Sequence, residues 1–338
     1  MTDNSGTYAG LFIKEARRKI IEDLKTNGQL VKIEQTIHRE PICWRSKNPI
    51  EFIPTKEIYL KQVEFKPQML KIADQMAFHS PQSKNIFVDW INSITVDWVI
   101  SRRRYYGTEI PLWYCIKCED PIIPPPGKYY QPWKENPPIN RCPRCGGTKF
   151  KGEERIFDTW FDSSSSQQYI SGYLWDPQFF KTNYPCSLRP QGKEIVRSWF
   201  YFTVLKSLLL FGVPPFKDAW IHMHVVDEKG EKMSKSIGNV IDPQKILELY
   251  GAEAFRTWVF LEGDITEGDI RYSNERTEGS KKFLTKIWNI ARLISSFPQP
   301  STDEKTESEE WIFAELSSTI EKVRQSFDEY SFNRGAVN

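Results

Sequence analysis

Glu231-Lys232-Met233-Ser234-Lys235-Ser236-Ile237-Gly238-Asn239 is the stretch that decides how this chain is read. Lys232 and Lys235 stand three positions apart, interleaved with the hydroxyls of Ser234 and Ser236 and followed by a glycine. That pattern closes two ammonium groups around phosphate oxygens as charge develops on a departing pyrophosphate. A lysine- and serine-rich loop is ordinarily just solvent-exposed, so its setting matters. Upstream, residues 219–226 read as a strand; downstream, Asp242-Pro243 offers an N-cap followed by proline at the first helical position. The loop is therefore expected beyond the carboxyl end of a strand, where open α/β sheets place their ligands. The chemistry predicted is nucleotidyl transfer.

Outward from the loop, strands near Leu188 and over 219–226 alternate with helices over 194–210, 243–250 and 252–261, which argues for a parallel α/β sheet. From Asn274 the pattern turns purely helical, with Phe283, Ile287, Ile290, Ala291 and Ile294 on one face. An acidic linker over 303–310 and a second helix to about Phe327 follow. Toward the N-terminus a helix is expected over 12–27, with Ala16, Ile20, Ile21 and Leu24 on one stripe and Gly28 as its stop. A short strand over 30–35, a turn-rich stretch over 41–54 and a helix over 67–77 complete that part.

Four of the six cysteines form two pairs, Cys115-Ile-Lys-Cys118 and Cys142-Pro-Arg-Cys145, within a segment rich in proline, glycine and charge. Pro124-Pro125-Pro126-Gly127 excludes a regular helix or inner strand there. Two such knuckles match a tetrahedral four-cysteine zinc ribbon, in which thiolates close the coordination shell and the Zn2+ is structural. Residues 101–155 carry 11 lysines and arginines against six acids, a local excess that suits a polyanion. The whole chain is nearly neutral, 46 basic against 44 acidic side chains, so a polyanion must be held by such a patch rather than by a global field.

At 338 residues, 39% hydrophobic and 27% charged, the chain buries a substantial core, which excludes disorder as its main state. Its longest apolar stretch, near 208–213, lies between Lys206 and Pro214, far short of the about 20 residues a bilayer span needs. A soluble protein with no membrane partner is expected. The N-terminus lacks a basic segment leading into an apolar run, so a cytoplasmic location is expected.

Lys232-Met233-Ser234-Lys235-Ser236 resembles the second signature of class I aminoacyl-tRNA synthetases. Other runs are similar to the subclass that activates branched aliphatic amino acids: Asp97-Trp98-Val99-Ile100-Ser101-Arg102 with Tyr106-Gly107 and Ile110-Pro111-Leu112-Trp113, Asp158-Thr159-Trp160-Phe161-Asp162-Ser163-Ser164, and Lys286-Ile287-Trp288-Asn289. Within it, Leu188-Arg189-Pro190-Gln191-Gly192-Lys193-Glu194-Ile195-Val196-Arg197-Ser198-Trp199 resembles the archaeal-type valyl enzymes rather than the isoleucyl ones. The resemblance implies an α/β fold: half of a Rossmann-like parallel-sheet catalytic domain with a zinc-ribbon insertion, followed by an α-helical bundle segment. It implies residues 1–60 as the tail of an editing insertion, 61–112 as a connective helix and return to the catalytic domain, and 113–155 as the ribbon. Residues 156–272 would be the catalytic half with the lysine loop, and 273–338 the start of a helical anticodon-binding domain.

It further implies ATP-dependent activation of valine, with Mg2+, and transfer to tRNA(Val). Lys232 and Lys235 would be catalytic, and Lys232, Met233, Ser234, Lys235, Ser236, Gly192 and Glu194 would bind ATP. Trp160 and Ile195 would line the amino-acid pocket, and Cys115, Cys118, Cys142 and Cys145 would bind Zn2+. Trp288 is expected to pack within the helical bundle. A noncatalytic zinc-ribbon RNA-binding protein derived from a synthetase, or an isoleucyl-type fragment, is the alternative.

Three departures shape the expectation. The family's first signature, His-Ile-Gly-His, is absent: the four histidines are His38, His79, His222 and His224, none in that setting. Half of the nucleotide site is therefore expected from an N-terminal synthetase half outside this sequence, and this chain alone is expected to be inactive, whether as a split subunit, a truncation or an excised fragment. The Cys-x-x-Cys that some relatives carry earlier reads Cys43-Trp44-Arg45-Ser46, which weakens any second zinc site. The glycine turn expected before the lysine loop reads Met223-His224-Val225, and His222 and His224 are read as structural or peripheral.

Overall fold

The structure, a computed structural model, describes residues 1–37, 39–43, 46–50, 55–235, 237–264, 266, 268–298 and 305–338. The chain divides into two compact units, Met1–Lys56 and Glu57–Asn338. In the first, helix α1 (Ile13–Thr26) forms where its apolar stripe predicts and ends at Gly28, whose φ of +68° suits glycine. Residues 30–35 form no strand; Val31 and Ile33 stay exposed. A β-prone run needs a neighbouring strand to take its backbone groups, and none pairs with it among the described residues. The Cys43 N–H donates to Asn48 O and the Lys47 N–H to Cys43 O, each at 2.8 Å, with Lys47 at φ +57°. His38, Trp44, Arg45 and residues 51–54 lie outside the described residues.

The second unit begins with β1 (Tyr59–Leu60), α2 (Lys66–Asp74), β2 (Ala77–Phe78), α3 (Pro81–Ser93) and β3 (Trp98–Val99), which returns to pair antiparallel with β1. Next, β4 (Ser101–Arg102) opens an excursion of three short antiparallel strands: β5 (Trp113–Cys115), β6 (Pro121–Ile122) and β7 (Phe150–Gly152). It closes when β8 (Ile156–Phe157) pairs with β4. The proline- and cysteine-rich segment is thus a separate small sheet tied at its base by one strand pair.

Short helices α4 (Thr159–Ser163), α5 (Ser166–Ile170) and α6 (Pro177–Asn183) lead to β9 (Cys186–Gly192), α7 (Tyr201–Phe211) and β10 (Phe216–His222). Asp158 and Asp176 cap α4 and α6 by accepting from the N–H groups of Trp160 (2.8 Å) and Phe179 (2.9 Å). The main sheet has the order β2-β10-β9 with every pair parallel, and its register sets His222 beside Gly192. Met69 and Ile72 of α2, Phe87 and Ile91 of α3, and Val204 and Leu205 of α7 bury against Phe216, Ala219 and Ile221 of β10. Each large apolar side chain among them contributes about 1.5–3 kcal/mol on burial.

Two boundaries differ from expectation. The helix read over 194–210 is a 3-10 turn (Lys193–Ile195) and a π turn (Val196–Phe200) before α7 proper; the wider turn buries Val196, Trp199 and Phe200 together. The strand read over 219–226 starts at Phe216 and stops at His222. The chain then changes partner: β11 (Val225–Val226) pairs in parallel with a later strand, β12 (Ile270–Arg271).

Between β11 and β12 lie the lysine loop, α8 (Pro243–Tyr250), capped by Asp242, and α9 (Ala252–Glu262). Beyond β12, α10 (Asn274–Ser295), α11 (Glu307–Asp328) and α12 (Phe332–Val337) complete the chain. A capping box between Thr306 and Glu309 starts α11, so residues 307–310 are helix rather than linker. Phe283, Ile287, Ile290 and Ile294 share a face as read but remain about half exposed, and Trp288 is 67% exposed rather than packed. Among the described residues no helix is long and apolar enough to cross a membrane.

Candidate functional site

The lysine loop leaves the carboxyl end of β11 and doubles back, so that Val226 bridges antiparallel to Lys232. Met233 turns inward onto a buried cluster of Ile246, Trp258 and Tyr272, which anchors the loop's centre. The lysines on either side, Lys232 and Lys235, are exposed. Alternation of one apolar anchor with two cations presents both ammonium groups to solvent from a loop whose middle is fixed. Ser234 O accepts from the N–H groups of Ile237 (3.2 Å) and Gly238 (3.1 Å), and Gly238 takes φ +77°. Ser236 lies outside the described residues.

Gly192 ends β9 and is buried. The Glu194 carboxylate folds back over it: a Cβ at 192 would stand 2.2 Å from Glu194 Oε2. His224 Nε2 lies 3.3 Å from the same oxygen, so His224 touches a candidate site residue. Its own backbone N–H donates to Asp269 Oδ1 at 2.9 Å, and Asp269 pairs with Lys193. Burial works to raise the Asp269 carboxyl, but Lys193 and the His224 N–H hold it below the usual carboxylate range. Glu194, Gly192, His224 and Lys193 therefore meet at the carboxyl ends of β9 and β10. Glu194 stays half-exposed and able to accept further hydrogen bonds.

Trp160 sits in the first turn of α4 and keeps 38% of its surface exposed, whereas Ile195 is half-buried against the main core. The segments carrying them are joined where Trp199 Nε1 donates to Ser163 O at 3.0 Å.

In the small sheet, the sulfur atoms of Cys115, Cys118, Cys142 and Cys145 all lie within 4.8 Å of one another. Cys115 to Cys145 is 3.5 Å and Cys118 to Cys142 is 3.7 Å. A tetrahedral zinc with sulfur at about 2.3 Å sets its sulfurs about 3.8 Å apart, so the four thiols fit that ion. The two knuckles are built alike. Glu119 and Gly146, each just after the second cysteine, donate to the first cysteine's carbonyl at 2.8 and 2.9 Å and take φ +56° and +71°. Burial opposes ionisation of Cys115, but the N–H groups of Cys118 and Lys117 and the neighbouring thiols hold it down at about 7. Cys118 is favoured as thiolate by the Asp120 N–H, yet the neighbouring sulfurs and burial push it up to about 12.

At the ribbon's base Glu153, 5% exposed, accepts from Arg155 Nε at 2.8 Å and Nη2 at 2.6 Å, and from the Tyr114 hydroxyl at 3.1 Å. Burial alone raises its pKa; the Arg155 guanidinium overrides burial and holds the carboxyl at about 2. A carboxyl depressed on folding stabilises the protein above its unfolded pKa of about 4.5, and that contribution is lost as pH falls toward 2. Glu153→Gln is therefore expected to be less stable than wild type at pH 7, with the difference shrinking between pH 4.5 and 2. Urea midpoints across that window check it; a difference independent of pH rejects the role given to the Glu153 charge.

A family model described as tRNA synthetases class I (I, L, M and V) matches residues 12–273. The chain belongs to this family. The valine--tRNA ligase of Aeropyrum pernix is 43% identical over 334 residues, covering 97% of this chain and 40% of the relative. That of Pyrobaculum aerophilum is 44% identical, covering 96% and 41%. The chain spans about 40% of the length of these curated relatives. Among solved structures it resembles a Mycobacterium tuberculosis methionyl-tRNA synthetase in complex with methionyl-adenylate, with TM-score 0.65 at 17% identity, covering 89% of this chain and 54% of that one. It also resembles a leucyl-tRNA synthetase from Agrobacterium radiobacter, with TM-score 0.57 at 24% identity, covering 72% and 34%. These two likenesses carry the fold: the mixed α/β architecture with a parallel sheet is that of class I synthetases.

For a class I synthetase chain, sequence reasoning misses four residues around the site. His224 reads as structural or peripheral, Lys193 lies in the family-like run 188–199 without a role of its own, and Asp269 and Asp227 lie outside every run quoted for the resemblance. The one signal available for Asp227 is the Asp-x-x-Gly turn at Asp227–Gly230, where the Gly230 N–H donates to Asp227 O at 2.9 Å and Gly230 takes φ +84°.

Proposed function

We propose that this chain is part of a valine--tRNA ligase that activates valine with ATP and Mg2+ and transfers it to tRNA(Val), completed by a half bearing the His-Ile-Gly-His signature. The observation that carries this reading is the lysine loop, seated beyond the carboxyl ends of the parallel strands with Gly192 and Glu194 at the end of β9, in a chain more than 40% identical to two archaeal valine--tRNA ligases. In the first step the valine carboxylate attacks the α-phosphorus of ATP and pyrophosphate departs. Lys232 and Lys235 act on the charge that gathers on that leaving group, with the Ser234 hydroxyl as a further donor. Gly192 admits the nucleotide close to backbone, and Glu194 accepts from a ribose hydroxyl or an ammonium group.

Trp160 and Ile195 wall the amino-acid pocket, where a packed aromatic face excludes an extra methylene by volume. The four cysteines hold a structural Zn2+. Residues 1–60 form the tail of an editing insertion, 61–112 the return to the catalytic domain, 113–155 the ribbon, 156–272 the catalytic half and 273–338 the start of the anticodon-binding helices. A cytoplasmic site of action goes with a tRNA substrate.

Trp160→Ala, in enzyme reconstituted with the other half, is expected to raise the KM for valine about tenfold, the scale set by loss of apolar pocket contacts. Steady-state pyrophosphate exchange with valine and isoleucine measures it. Faster exchange with isoleucine than with valine by the unmodified protein rejects the valine assignment while leaving the synthetase family intact.

A further inference from the structure

The lysine loop is packed at its centre by Met233, and its path is tied at both ends by two side chains with no assigned role. Asp227 opens the loop and Asn239 closes it. Asp227 Oδ1 accepts from the N–H groups of Lys229 (3.0 Å) and Glu231 (2.7 Å), while Oδ2 accepts from Asn239 Nδ2 at 2.9 Å. Asn239 uses its other end as well: Oδ1 accepts from the Ser234 N–H at 2.8 Å, and Nδ2 also reaches Lys232 O at 3.3 Å. One amide group thus joins the start of the loop to its middle, and its contacts fall on the backbone of Lys232 and of Ser234, the residue just before Lys235.

We propose that Asp227 and Asn239 form a clasp that fixes the lysine loop in the shape that points Lys232 and Lys235 at one pyrophosphate; they are positioning residues. The chemistry is specific to this pair. Asp227 supplies only acceptors and faces only donors, and Asn239 is needed because it donates on one side and accepts on the other. The Asn239 amide, first among the groups around Asp227, holds that carboxyl below the usual carboxylate range. Hydrogen bonds to an ionised carboxylate are stronger than those between neutral groups. A loop ordered before its ligand arrives does not spend binding energy on ordering itself. The role given to the lysines is that of the proposed function, on which the positioning half of this inference rests.

The arrangement makes an unusual prediction. Asn239→Asp sets a second carboxylate against Asp227 and removes the bridging donor. Adding Asp227→Asn restores the contact between positions 227 and 239 in mirror image, leaving the longer contact to Lys232 O unmade. The amide oxygen introduced at position 227 takes the two N–H groups of Lys229 and Glu231, and the amide nitrogen beside it donates to the carboxylate introduced at position 239. The other oxygen of that carboxylate accepts from the Ser234 N–H. Two readouts test it: amide hydrogen exchange at Glu231 and Ser234 in the purified chain, and calorimetric titration, with inorganic pyrophosphate, of the enzyme reconstituted with the other half.

In N239D both amides are expected to exchange about tenfold faster and pyrophosphate to bind about tenfold more weakly, the scale for losing a hydrogen bond to a charged group. In the D227N/N239D swap both values are expected to return to within about threefold of wild type. Unchanged exchange in N239D, or a swap no better than N239D, overturns the clasp. Faster exchange with pyrophosphate affinity unchanged overturns the positioning role. If wild type does not bind pyrophosphate while exchange follows the predicted pattern, the clasp stands and the function assigned to the lysines fails.

Discussion

Alanine at Lys232 or at Lys235 lowers kcat for valine-dependent exchange of pyrophosphate into ATP about a hundredfold or more in the reconstituted enzyme, the scale seen when one charge-stabilising donor is removed from a transition state. The KM for valine stays within a few-fold. The split follows from geometry: both ammonium groups are exposed on a loop anchored by Met233, and Trp160 is carried by a separate element, α4. An interaction made mainly in the transition state shows in kcat, whereas uniform binding shows in KM. Failure of arginine to replace lysine at either position would add that a compact point charge is required. Exchange rates unchanged in both alanine variants would reduce the loop to a solvated connection.

Serine at Cys142 abolishes stoichiometric zinc and unfolds the small sheet. Purified chain is expected to carry about one zinc per molecule, since a closed four-thiolate shell is a structural site. Cys115 and Cys142 are nearly fully buried, so loss of the ion leaves thiols facing one another in a small sheet of two- and three-residue strands. Such strands cannot hold a sheet by themselves. Metal analysis together with hydrogen exchange over residues 113–155 measures the effect. A variant that retains zinc, or a ribbon equally protected with and without metal, contradicts the assignment. Since Arg155 joins Glu153 to Glu57 outside the ribbon, the rest of the unit should stay folded when the metal is lost.

What is legible in the sequence is what is contiguous in it. The lysine loop, the two knuckles and the Asp242-Pro243 helix start all announce themselves within a few residues, because spacing alone decides whether such groups converge. The parallel sheet is readable from alternation, α1 from its apolar stripe and glycine stop, and α10 from its apolar stripe. What escapes depends on partners far along the chain. His224 gains its contact with Glu194 only because β10 registers His222 beside Gly192, and Asp269 reaches the His224 N–H only because β11 leaves the main sheet to pair with β12. The run over 30–35 fails as a strand for the same reason in reverse, since local propensity cannot supply the second strand. Trp288 has the residue type of a core position, but no element among the described residues covers it.

Exchange of labelled pyrophosphate into ATP, measured with valine for this chain, for an N-terminal half carrying His-Ile-Gly-His, and for the two combined, tests the central claim most directly. The predicted result is exchange in the mixture alone, faster with valine than with isoleucine. A mixture that forms a complex yet shows no valine-dependent exchange, or full exchange by this chain in the absence of the other half, contradicts it.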